Sequence, residues 1–236
     1  VLSNYQKKLI LFLGRKQNMT KTDISKLYVT IFNRASEKSG SENWLNSGYN
    51  TDMAAMANAM LVTDAAKEYF GSSLDSDPAF VDHIYKNTLN KGAGVDAEGK
   101  AVWVEYLKGH TRGEMVAKMI EAIKEYQVGG AKYATADQAT KDAAQQFENR
   151  VAVSDYTADT LETIAVSEID SKLSFSSALT VTSDAATVTT AKAAVQALTI
   201  DGTTFTLTTG TDDLKGTDKA DLFKAVNSSA VAEGTL

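Results

Sequence analysis

Residues Ile84–Val104 read IYKNTLNKGAGVDAEGKAVWV and repeat, in altered form, the stretch Leu27–Leu45, LYVTIFNRASEKSGSENWL. The shared positions are Tyr28/Tyr85, Asn33/Asn90, Arg34/Lys91, Glu37/Asp96, Gly40/Gly99 and Trp44/Trp103, then Thr51/Thr111, Met56/Val116, Ala57/Ala117 and Met60/Ile120. An internal repeat of this kind is typical of a duplicated structural unit. The sequence therefore predicts a duplicated helix–loop–helix unit from about Thr22 to Glu125.

Apolar spacing predicts helices through most of the chain. In the first copy, Thr22-Asp23 is the expected N-cap, and apolar residues follow at spacings of 3, 4, 7 and 8, typical of an amphipathic helix. The other predicted helices are one beginning at Ser41–Leu45, then Met53–Leu61, Thr63–Phe70, Phe80–Leu89 with Asp77-Pro78 as its start signal, Lys100–Leu107, Thr111–Tyr126, Ala136–Ala152, Thr157–Ile169 and Thr190–Leu198. Alternating β-branched residues predict a strand at Thr203–Thr209.

These elements predict a mainly α fold: a multi-helix domain built on the duplicated helix–loop–helix unit, followed by the start of a β-rich, β-helix-like C-terminal region. We expect residues 1–18 to be an extension, 19–130 the duplicated helical domain, 131–200 further helices that complete it, and 201–236 the start of a β repeat region.

The composition excludes several classes of function. The formal net charge of -6 argues against a nucleic-acid binder or a protein of anionic membranes, because both need a basic face. The chain has no cysteine and only two histidines, which leaves little material for a zinc site. No stretch reaches the roughly 18 apolar residues of a membrane span. We therefore expect neither nucleic-acid binding nor membrane insertion.

The segment Gly210–Phe223, GTDDLKGTDKADLF, indicates calcium. Asp212 and Asp221 are nine residues apart, each two residues before an apolar side chain. Nine residues is the period of the calcium-binding parallel β-helix, in which turn carbonyls and an Asp hold the ion between successive repeats. We predict that Asp212 and Asp221 bind calcium, here or with repeats beyond Leu236. A Gly- and Asp-rich surface turn after a strand is the alternative.

Other residues admit a binding and a structural interpretation. Asp96, Glu98 and the carbonyls of Gly92–Gly94 could surround a metal ion, but an acid beside glycines also builds a turn and a helix cap. Trp44 and Trp103 could stack on sugars, or anchor the core from inside an amphipathic segment. Basic residues could meet sugar phosphates or be solvated, and these are Arg34, Lys91 and Arg112.

Nothing in the sequence predicts an enzyme. Neither a nucleophile elbow nor a phosphate-binding or dinucleotide glycine loop is present. His83 lacks a second imidazole at ligand spacing, so we expect a surface or half-buried side chain, and His110 lies in a predicted turn.

Three segments, in one order, resemble a known family. The pattern Tyr85, Asn90, Asp96, Gly99, Trp103, Gly109 and Thr111-Arg112 after Phe80-Val81 resembles a helical domain found in tandem in bacterial secreted repeat proteins. Phe147–Tyr156 is similar to the stretch that follows that domain. Thr206–Phe223 resembles the beginning of the calcium-binding β region of Gram-negative surface-layer (S-layer) proteins, and Met19–Tyr28 resembles the N-terminus of those that form lattices on lipopolysaccharide.

The resemblance implies a structural protein rather than an enzyme. In that family the N-terminal helical domain anchors the lattice to lipopolysaccharide or another surface polysaccharide, and the RTX-like β repeats build a calcium-dependent lattice by self-association. Type I secretion uses a C-terminal signal, so the resemblance implies an extracellular, cell-surface protein exported without a cleaved N-terminal signal peptide. The alternative is a helical connector module in a non-lattice type I-secreted adhesin or hydrolase.

Overall fold

The computed structural model describes residues 18–91, 96–208, 210–214 and 220–225, the last six and residues 200–205 by their backbone alone. The extension assigned to residues 1–18 lies outside this range except for its last residue. The described chain is mainly helical, as predicted. None of its helices is both long and apolar enough to cross a bilayer.

The helices follow the predicted order as far as residue 124, and the later elements differ in part. The elements are α1 (Lys21–Phe32), α2 (Lys38–Leu45), α3 (Met53–Leu61), α4 (Asp64–Phe70), a 3-10 turn (Gly71–Leu74), α5 (Asp77–Leu89), α6 (Ala97–Leu107), α7 (Arg112–Lys124), α8 (Gln138–Thr160), a 3-10 turn (Val166–Glu168), α9 (Ile169–Leu173), α10 (Ala185–Ile200), β1 (Asp201–Leu207) and β2 (Ala220–Ala225).

Side-chain caps decide where the helices begin. Thr20, not Thr22-Asp23, is the N-cap of α1, and Asp23 completes a capping box by accepting from the Thr20 backbone N–H. The Thr20 hydroxyl and the Asp23 carboxylate each accept from one of the backbone N–H groups that a helix start leaves unpaired. Ser76 likewise caps α5, so that Asp77 and Pro78 both lie inside its first turn.

The two aligned stretches share several details of geometry. Asn33 ends α1 and Asn90 ends α5, both in the left-handed conformation with φ of 48° and 54°, which Asn tolerates better than other side chains with a Cβ. The third helices of the two stretches, α3 and α7, pack against each other. The duplication stays a prediction, which these details support.

The sequence predicted two helices here, Ala136–Ala152 and Thr157–Ile169. This prediction was wrong, because residues 138–160 form the single helix α8. The polar residues between the two predicted helices lie inside α8 and make specific contacts. Ser154 is buried and its Oγ accepts from the Ser36 backbone N–H at 3.1 Å, and Asp155 accepts from the Thr22 hydroxyl at 2.7 Å. They form the face of α8 that packs on α1.

The helix predicted to run on to Ile169 ends instead near Leu161. The carbonyl oxygens of Leu161 and Glu162 accept from the backbone N–H groups of Lys38 and Ser39, at 2.9 and 3.0 Å. These are amides that the start of α2 leaves unpaired. The chain leaves α8 here because its backbone caps another helix.

A parallel pair of strands follows the helices. Phe205 of β1 lies opposite Phe223 of β2, 18 residues further along the chain. The two strands make a single two-stranded sheet among the described residues. The wider β-rich region expected from residue 201 therefore stays a prediction.

We predict that Gly113→Ala destabilises the protein by about 3 kcal/mol, the upper range for forcing extra volume into a packed core. Gly113 lies at the crossing of α3 and α7, where a Cβ would overlap with the Ala54 carbonyl oxygen and the Asn58 side chain. Denaturant unfolding measures the change. Gly109→Ala is the matched control, because a Cβ at Gly109 meets nothing within 4 Å. Equal stabilities of the two variants would contradict the close crossing.

Candidate functional site

A groove of about 480 Å³ opens between α5, α6, α7 and the beginning of α8. Its volume falls within the range of small-ligand sites. Its walls combine aromatic, small and charged side chains, contributed by Tyr85, Leu89, Lys91, Asp96, Gly99, Trp103, Met119, Ala122, Ile123, Tyr126, Thr135, Ala136, Asp137, Thr140, Ala143 and Ala144.

The space exists because large and small residues line it together. Tyr85, Trp103 and Tyr126 contribute rings from the second aligned stretch and its end. The beginning of α8 contributes chiefly alanines, among them Ala143 and Ala144. A methyl group cannot fill the volume in front of an aromatic ring, so the groove stays open.

The rings differ in exposure. Tyr85 is only 3% exposed and forms part of the core. Burial, and secondarily the charge of Asp96, raises the pKa of the Tyr85 phenol to about 12, although a hydrogen bond with Trp103 opposes this. The phenol therefore stays neutral. Trp103 and Tyr126 are half-buried and pack against the core with part of their surface.

Three charged side chains lie at the groove. Lys91 Nζ is 3.5 Å from Asp96 Oδ2. Asp137, the N-cap of α8, accepts from the Thr140 backbone N–H at 2.7 Å. This hydrogen bond, together with one from the Thr140 side chain, lowers the pKa of the Asp137 carboxyl. The groove thus offers carboxylate and hydroxyl groups beside its aromatic rings.

The first aligned stretch is arranged differently. The Arg34 guanidinium lies over the Tyr28 ring, 4.8 Å from its centroid, and pairs with Glu37 at 3.0 Å. The Arg34 and Glu37 side chains are 12% and 13% exposed, against 24% and 37% for Lys91 and Asp96. A groove of about 530 Å³ lies beside Phe32 and Arg34, but Trp44 is not among the residues that line it. The two stretches therefore differ most where the second one carries its open groove.

Of the two roles considered for the tryptophans, sugar stacking and core anchoring, the structure supports core anchoring for both. Trp44 and Trp103 both pack against the core, as anchors would. Trp103 also lines the groove, so core packing and a binding surface meet in one side chain.

The structure favours the cap interpretation of Asp96. Its carboxylate accepts from the Gly99 backbone N–H at 3.1 Å, and it is the N-cap of α6. Glu98 is exposed, and the predicted contribution of Gly92–Gly94 lies outside the described residues. No cluster of three acids or histidines suited to a metal ion occurs in the described part of the chain.

The basic residues considered for sugar phosphates have internal partners. Arg34 pairs with Glu37 and Lys91 with Asp96. Arg112 pairs with Asp77 at 3.0 Å and donates to the Leu74 carbonyl at 2.9 Å.

The calcium prediction stays a prediction. The Asp212 carboxylate accepts from the Thr208 backbone N–H at 2.8 Å and from its hydroxyl at 2.9 Å. Asp221 lies in β2, and its side chain is outside the described residues. Asp212 alone does not make up a calcium site, which takes six to eight oxygens.

Sequence reasoning missed the far wall of the groove. Asp137 and Thr140 stand 33 and 36 residues after the end of the second stretch at Val104, and Tyr126 ends the repeat without a counterpart in the first copy. An Asp three residues before a Thr at a helix start predicts a cap. Only the packing of α8 against α5 brings that cap to the groove.

The two histidines lie away from the groove lining. His83 is half-buried, with its ring 4.3 Å from the Phe70 ring and Nδ1 3.2 Å from Ser73 Oγ. Burial, and secondarily the charge of Lys86, lowers the pKa of His83. His110 is exposed in the turn after α6 and stacks on Tyr106 at 3.7 Å.

We predict that the free energy of unfolding decreases as the pH falls through about 6.5, where an unfolded histidine titrates. The folded protein binds the proton at His83 only at a lower pH, so acid favours the unfolded chain. Urea unfolding between pH 7.5 and 5.5 should show a smaller decrease in His83→Gln. Identical decreases in the two proteins would contradict the lowered pKa.

No family model, curated protein or solved structure matches this chain. The candidate site therefore rests on the groove itself: aromatic rings with exposed surface, facing small residues, beside a carboxylate and hydroxyls.

Proposed function

We propose that this chain is the surface-anchoring region of a bacterial S-layer protein and binds lipopolysaccharide or a related cell-surface polysaccharide. The role is structural, not catalytic. The observation that carries the proposal is the open groove that Trp103 and Tyr126 line together with several small residues. The order of segments that resembles S-layer proteins supports it.

The groove suits a sugar ring. A pyranose has apolar C–H faces, which stack on aromatic rings, and hydroxyl groups around its edge, which need hydrogen-bond partners. Trp103 and Tyr126 supply the aromatic surface. Asp137 and Thr140 supply an acceptor carboxylate and a hydroxyl within the same wall.

The surface next to the groove suits a chain of sugars rather than a single one. Tyr106 follows Trp103 by one helical turn, with ring centroids 6.0 Å apart, and His110 stacks on Tyr106. These rings continue from the groove along α6. Individually weak contacts of this kind become strong attachment when many copies in a lattice bind together.

The strands support the other half of the proposal, a calcium-dependent lattice of β repeats. Phe205 pairs with Phe223 in parallel, at an offset of two nonapeptides. Stacking of this kind is typical of a parallel β-helix. In this proposal Asp212 and Asp221 belong to a site that neighbouring repeats complete, and the protein acts outside the cell after export without a cleaved N-terminal signal peptide.

We predict that the protein sediments with purified lipopolysaccharide and with cells stripped of their surface lattice. Trp103→Ala/Tyr126→Ala should lower the affinity about tenfold, since aromatic contacts contribute about 0.5–1.5 kcal/mol each. Trp44→Ala is the matched control, because Trp44 occupies the aligned position but lines neither of the two grooves described above. Near-ultraviolet circular dichroism shows whether each variant is folded.

Absence of binding by the unaltered protein would contradict the anchoring function. An equal loss in the folded Trp44→Ala variant would contradict the location of the site.

We predict that calorimetric titration with Ca²⁺ gives less heat in Asp212→Ala/Asp221→Ala than in the unaltered protein. The substitutions remove two carboxylates from the expected repeat turns. Ser183→Ala, in the turn before α10, is a control outside the repeat segment. Identical traces for the three proteins would contradict calcium binding by these residues.

A further inference from the structure

We propose that the groove selects an uncharged sugar ring and discriminates against acidic sugars such as uronic acids. The inference rests on the proposed function and names the class of sugar that the groove accepts. It depends on which charged side chains of the groove are already paired with one another.

The single cation that lines the groove among the described residues is Lys91, and it is paired with Asp96 at 3.5 Å. The residues between them along the chain, 92–95, are Gly, Ala, Gly and Val and carry no charged side chain. A second acid, Asp137, also lines the groove, so Lys91 faces two carboxylates there. The lining groups carry one more negative than positive charge.

Two other cations lie near the groove without lining it. Lys132 lies 5.5 Å from the centroid of the Tyr126 ring and pairs with Glu125 at 2.5 Å. Lys141 lies over the Tyr133 ring, 5.0 Å from its centroid, and is not part of the lining. Lys91 and Lys132 are already paired, so an incoming carboxylate would have to separate one of these pairs or reach Lys141, outside the lining.

An acidic sugar would therefore lose its hydration in the groove without a free cation in return. Desolvating a charge that gains no partner is costly, and Asp96 and Asp137 would also repel it. A neutral ring meets no such penalty, because its hydroxyls can donate to the same carboxylates. The groups that exclude anions are thus the ones that bind hydroxyls.

The test uses the single tryptophan that remains at the groove. The chain has two tryptophans, so Trp44→Phe leaves Trp103 as the reporter. Its fluorescence is titrated with matched trisaccharide pairs: glucose and glucuronic acid, galactose and galacturonic acid, mannose and mannuronic acid. We expect at least one neutral member to bind about tenfold or more tightly than its acidic partner.

Adding Asp137→Asn should reduce this preference several-fold, because Asn removes the charge and still caps a helix. The neutral sugar should bind somewhat more weakly, because an amide oxygen is a weaker acceptor than a carboxylate, and the acidic sugar should bind more tightly. Glu148→Gln is the matched control, since it removes an exposed carboxylate from the same helix but outside the groove, and it should leave the preference intact.

The outcomes separate this inference from the anchoring function. Acidic sugars that bind as well as their neutral partners would overturn the inference, as would a preference unchanged by Asp137→Asn. If no trisaccharide affects Trp103 while the protein still binds lipopolysaccharide, the inference fails and the anchoring function stands. If lipopolysaccharide does not bind either, both fail.

Discussion

The hydrogen bonds of the Arg150 guanidinium join α8 to both aligned stretches. Its Nη1 donates to Asn33 Oδ1 at 3.2 Å and to the Asn87 carbonyl oxygen at 2.9 Å. The side chain is 4% exposed, and burial lowers its pKa to about 10, so it stays charged at neutral pH. Within the described residues no carboxylate forms an ion pair with it. The carbonyl ends of α1 and α5, where helix dipoles are negative, stabilise its charge instead.

The groove depends on that junction. Asn87 also donates to the carbonyl oxygens of Thr30 and Ile31, at 3.3 and 2.9 Å, and so ties α5 to α1. With both helices held against α8, the N-terminal half of α8 faces the second stretch and the C-terminal half faces the first. The first interface is closed by backbone hydrogen bonds and by Arg34 on Tyr28. The second is lined by alanines and remains open.

Single residues decide the geometry at several helix ends. Asp52 caps α3, and Gly71 ends α4 with a φ of 50°. These depend on a side chain reaching a nearby amide, or on a conformation that glycine adopts easily. The sequence predicted a break between Ala152 and Thr157, but α8 continues through Ser154 and Asp155. Their polar groups bond to Ser36 and Thr22, more than a hundred residues earlier in the chain.

The sequence by itself determined the helical class, the ends of most helices before residue 125 and the paired Tyr, Asn, Gly and Trp positions, because spacing and caps act over a few residues. Only the tertiary structure decided that Trp103, Tyr126 and Asp137 share one groove, whose lining does not include Trp44. That outcome depends on which half of α8 covers each stretch. Contacts between residues so far apart in the chain depend on packing, which local sequence does not encode.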